Sequence, residues 1–86
     1  MEKETFISKF IVLAEEIKKK YGVNLWLVEV LGKRHSYLAG HKEDGFLPPE
    51  PLYLNERFAV VSNEWEKIPE HEKETLIKIL KEELLK

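Results

Sequence analysis

The chain has 86 residues, 14 of them Lys or Arg and 16 Asp or Glu, for a formal charge of −2, and it contains no cysteine. A disulfide framework, a thiolate metal site and a cysteine nucleophile are therefore excluded, and no apolar run approaches the roughly 20 residues of a membrane-spanning helix. The start, Met1-Glu2-Lys3-Glu4, lacks the apolar segment of a secretion signal, so the expected address is the cytoplasm.

The charged residues are almost all Glu and Lys, with 2 Arg, 1 Asp and no Gln, which is the bias of proteins from thermophilic sources. One domain over residues 1–86 is expected. A chain this short buries only about 60–65 per cent of its unfolded surface. Its stability then rests on a well-packed core or on surface buried against another chain.

From Glu4 to about Lys20, Phe6, Ile7, Phe10, Ile11, Leu13, Ala14 and Ile17 recur at three- and four-residue spacings, the stripe of an amphipathic helix. Thr5 is the expected N-cap. Lys18-Lys19-Lys20 suits the negative end of the helix dipole, and Gly22 the C-terminal stop. Leu25 to Leu31, rich in β-branched and aromatic residues, predicts a strand. Trp26, Val28 and Val30 make one side of it apolar; Leu25, Leu27 and Leu31 make the other side apolar apart from Glu29. A strand apolar on both sides needs cover on both sides, and the second cover is a loop, a helix or another copy of the chain.

The chain is expected to turn back around Gly32-Lys33-Arg34 into a second strand from His35 to Ala39. Gly40 to Glu56 is a long connection, stiffened by Pro48-Pro49-Glu50-Pro51 and regaining strand character at Leu52-Tyr53-Leu54, with Phe46, Leu47, Leu52 or Leu54 expected to be buried. A further strand follows at Arg57 to Val61. Trp65 and Ile68 are expected core anchors around a helical turn at Ser62 to Glu66. The last helix opens at Pro69, carries Glu70, Glu72 and Glu74 at its positive end, and buries Leu76, Ile77, Ile79, Leu80 and Leu84. The fold class is α+β: N- and C-terminal helices packed on a small, mainly antiparallel sheet of three or four strands.

Charge is distributed unevenly, −6 over residues 43–72 and +2 over residues 24–42. The hairpin gathers Lys33, Arg34, His35, Tyr37 and His41, the candidate ligand-binding residues. Simple alternation places His35, Tyr37, Ala39 and His41 on one face and Ser36, Leu38 and Gly40 on the other. On a straight strand His35 and His41 stand about 20 Å apart, too far to share an ion, so no metal site is expected. Ser36 and His35 point to opposite faces and no glycine-flanked nucleophile turn exists, so no catalytic residue and no cofactor are assigned. The four glycines are spread out as turn markers rather than gathered into a phosphate loop. Glu29 is expected to pair with Arg57 or Lys33 across the sheet.

The sequence thus predicts a small interaction module without catalysis, whose partner is a second copy of itself in a homodimer or another protein. The interface residues assigned are Leu25, Leu27, Leu31, Phe46 and Leu47. A small-molecule or phosphate-ligand site at the hairpin is the alternative. A weak nucleic-acid contact through Lys33, Arg34, His35 and Lys42 ranks third, because net negative charge and two arginines disfavour a polyanion. No membrane partner is expected.

Overall fold

The computed structural model describes residues 2–43 and 49–86. In chain order it has α1 (Lys3–Tyr21), β1 (Trp26–Leu31), β2 (Arg34–Gly40), β3 (Glu50–Tyr53), β4 (Phe58–Ser62), a 3-10 turn at Trp65–Lys67 and α2 (Glu70–Leu84). The strands form one antiparallel sheet in the order β2-β1-β4-β3, with the two helices packed on it, the expected α+β architecture.

Helix α1 buries Phe6, Phe10, Ala14 and Ile17. It begins one turn earlier than its apolar stripe, because the Phe6 N–H bonds the Glu2 carbonyl at 3.1 Å; Thr5 therefore lies inside the helix, and Glu2 takes the cap position without a side-chain bond. The helix stops at Gly22, whose φ of 68° is left-handed and returns its N–H to the Lys18 carbonyl at 2.9 Å. Only glycine takes that conformation without a steric penalty.

Gly32 and Lys33 form the turn that joins β1 to β2, and Leu31 pairs with Arg34 across it. At the other hairpin, the Asn55 side-chain oxygen accepts the N–H groups of Arg57 and Phe58, both at 2.8 Å, and fixes the reversal from β3 into β4. The long connection thus contains a fourth strand. Trp65, buried beneath the helices, donates its indole N–H to the Glu50 carbonyl at 2.7 Å and fastens the start of that strand to the core. Leu54 is buried and Leu52 half-buried, whereas Phe46 and Leu47 lie outside the described residues.

Two apolar layers result. The larger lies between sheet and helices and joins the α1 stripe to Leu25, Leu27, Ala39, Phe58, Val60, Trp65, Ile68, Leu76 and Leu80. The smaller, on the opposite sheet face, joins Trp26, Val28, Ala59 and Val61, with Val30 packed against them. This settles which side of β1 meets the helices. Leu25 and Leu27 have 0% exposure in the helix-side core and so are not surface available to a partner, while Leu31, at the strand end, is exposed. Along α2, Leu76 and Leu80 are buried; Ile77, Ile79 and Leu84 are half-buried, so the apolar surface of this helix is wider than the core it covers.

Candidate functional site

The hairpin residues do not form one constellation. The pairing of β1 with β2 shifts between Leu27 and Val28: Leu27 faces Ala39, but Val28 faces Tyr37, leaving Leu38 as an extra residue. Such a bulge reverses the alternation beyond it. Ala39 consequently enters the helix-side core, and His41 Nε2 lies 2.7 Å from Glu15 of α1. His35 and Tyr37 remain on the opposite face, opposite Val30 and Val28. The single-face row expected from strict alternation is thus broken in two. Lys33 and Arg34 sit at the turn, the far end of β2 from His41.

Each hairpin side chain that the structure pairs has its own partner. The Tyr37 hydroxyl donates to the Gly40 carbonyl at 2.7 Å, closing over the bulge, and His35 meets the Tyr53 ring edge to face at 6.2 Å. Among the described residues no group of three or more His, Asp or Glu is gathered as for a metal ion. Glu29 bonds Arg57 Nε at 2.6 Å, as expected, and takes its second cation from Lys3 Nζ at 3.2 Å rather than from Lys33. The Arg57 guanidinium also lies 5.1 Å from the Phe58 ring centroid. The hydrogen bond from Arg57, reinforced by Lys3, holds the Glu29 carboxyl below the usual glutamate range. The three residues tie the start of α1 to the two central strands.

Two surface recesses stand out. A cleft of about 360 Å³ is bounded by Trp26, His35, Tyr37 and Val61 from the sheet and by Lys42, Glu43 and Pro49 from the flanks of the long connection. Trp26 and Val28 are each 3% exposed and Val30 is half-buried, so much of the second side of β1 is covered within one chain. Glu43 accepts from the side-chain amides of Asn24 and, at 3.4 Å, Asn63, which anchors one wall of this cleft.

The second recess, about 440 Å³, runs along α2 beside Leu52 of the edge strand β3. Leu52, Ile77 and Leu85 supply its apolar lining; Glu70, Lys73, Glu74, Lys78, Lys81 and Glu82 supply the charged part. Leu85 is 86% exposed. The sequence assignment missed this face, although its signal was present: residues 70, 73, 74, 77, 78, 81, 82 and 85 follow helical spacing along one side of α2.

Among the described residues no helix is long and apolar enough to cross a membrane. No protein-family model, curated protein or solved structure matches the chain.

Proposed function

We propose that this chain is a small, non-catalytic protein-interaction module of the cytoplasm that associates with a second copy of itself through the flank formed by α2 and β3. The observation that carries this reading is the open groove along α2, where Leu52, Ile77 and the exposed Leu85 lie among charges of both signs. Exposed apolar side chains within a polar rim are the pattern of a docking surface. The Glu/Lys bias adds a thermophilic source to the reading, since burial against a second copy supplements the small core that 86 residues provide. Size-exclusion chromatography with light scattering tests it. Dimer mass at tens of micromolar supports self-association, and a strict monomer at that concentration removes it.

A second reading, a small-molecule site, is favoured by the cleft against Trp26, which brings His35 and Tyr37 together with Lys42. Of the hairpin residues assigned from sequence, Lys33, Arg34 and His41 do not line it. A thermal-shift screen of metabolite-sized anions and aromatic compounds tests this reading. A ligand whose shift survives both His35→Ala and Tyr37→Ala would bind elsewhere.

A further inference from the structure

We infer that the second copy docks with its α2 antiparallel to the first, about a two-fold axis passing between Ile77 and Lys78; this rests on the self-association reading above. The order of charges on the groove face, Glu70, Lys73, Glu74, Lys78, Lys81 and Glu82, selects this register. With the axis between positions 77 and 78, Glu74 of one copy faces Lys81 of the other, and Lys73 faces Glu82. Symmetry repeats both pairs, so four opposite-sign contacts form and no like charges stand directly opposite; the two Lys78 residues flank the axis and turn their ammonium groups to solvent. Sliding the helices by one position in one direction sets Lys73 against Lys81; sliding in the other sets Glu74 against Glu82. A two-fold contact requires a self-complementary patch, and this register supplies it.

The centre of the same face is apolar. Ile77 lies beside the axis, opposite the aliphatic stem of Lys78 and next to Ile77 of the other copy; Leu52 flanks this strip, and Leu85 lies at its end opposite the stem of Glu70. Among the described residues, Glu74, Lys81 and Glu82 form no ion pair within the chain, whereas Lys73 bonds Glu70 at 3.0 Å and can turn outward from that exposed carboxylate. Solvent-facing pairs contribute little affinity, so the apolar strip drives association and the charges select orientation and register.

Analytical ultracentrifugation of four proteins tests the register: the unmodified chain, Glu74→Lys, Lys81→Glu and the double variant carrying both. Each single change sets like charges together at two symmetric positions and should raise the dimer Kd by roughly tenfold, about 1.4 kcal/mol. The double variant re-forms the pairs with signs exchanged and should return to within about threefold of the unmodified chain. Circular dichroism on each variant confirms that α2 is retained. A dimer indifferent to all three changes, or a double variant weaker than either single one, overturns the register and leaves self-association standing. An unmodified chain that is monomeric throughout overturns both.

Discussion

His35 on β2 and Tyr53 on β3 occupy opposite edges of the four-stranded sheet, yet their rings meet edge to face with centroids 6.2 Å apart. Three inter-strand spacings separate those backbones by about 14 Å, so both side chains must reach inward over the sheet. What lies between them is low: His35 stands opposite Val30, and Tyr53 opposite Ala59. The small alanine leaves room for the tyrosine. The two rings, with Tyr37, partly roof the apolar face that the helices leave uncovered, and they do so from within one chain.

Removing that roof should register as a loss of packing. Tyr53→Ala is expected to cost about 1 kcal/mol in urea denaturation, with increased binding of a hydrophobic dye. Tyr53→Phe keeps the ring and should stay within about 0.5 kcal/mol of the unmodified chain. Equal stability of all three proteins would mean that the rings contribute nothing to covering this face.

Glu29 gives the chain a specific acid sensitivity. Because Arg57 and Lys3 depress its carboxyl in the folded state, the unfolded chain binds its proton more readily. The contribution is fully present above the ordinary glutamate range and is lost as pH falls through that range and below it. Glu29→Gln should therefore unfold more easily than the unmodified chain at neutral pH, with the difference shrinking on acidification toward about pH 3. Denaturant midpoints at several pH values measure this. A difference that does not change with pH would place the effect in packing rather than in the ion pairs.

Gly40 is the most constrained backbone position at the hairpin. Its φ is 101°, and an added Cβ would lie 2.5 Å from the Leu25 carbonyl oxygen and 2.8 Å from the Trp26 Cα, both backbone atoms that cannot swing aside. Gly40→Ala should cost roughly 3 kcal/mol or more, since strain and collision act together. Gly22→Ala is the matched control. Its φ of 68° is also left-handed, but nothing lies within 4 Å of the added carbon, so about 1 kcal/mol is expected. Similar losses at the two sites would contradict the close approach at Gly40.

Thermal melting bears on the composition. The Glu/Lys bias and the Lys3–Glu29–Arg57 network predict a Tm above the roughly 45–65 °C of mesophilic domains. A midpoint inside that interval would assign the bias to the two charged helices alone.

The helices and strands were legible because periodicity carries them: Phe6, Phe10, Ala14 and Ile17 mark α1, and Trp65 and Ile68 read correctly as anchors. What alternation cannot encode is an inserted residue. Leu38 looks like any other position on β2, and the bulge it creates sends Ala39 and His41 toward the helices. Nor could β1 reveal which side the helices cover, because both sides are apolar; Leu25 and Leu27, which by sequence fit an interface, belong to the core. Pairings such as Lys3 with Glu29 and His41 with Glu15 join residues 26 positions apart and depend on how α1 lies across the sheet. The α2 groove, by contrast, was written in local spacing. It was obscured because Ile77 also fits the buried stripe.

The most direct test of self-association through α2 and β3 is a backbone amide chemical-shift comparison between dilute and concentrated solutions of the unmodified chain. Concentration-dependent shifts should cluster at residues 70–85 and around Leu52. Shifts clustered instead around His35, Tyr37 and Tyr53, or a spectrum unchanged with concentration, would contradict the account.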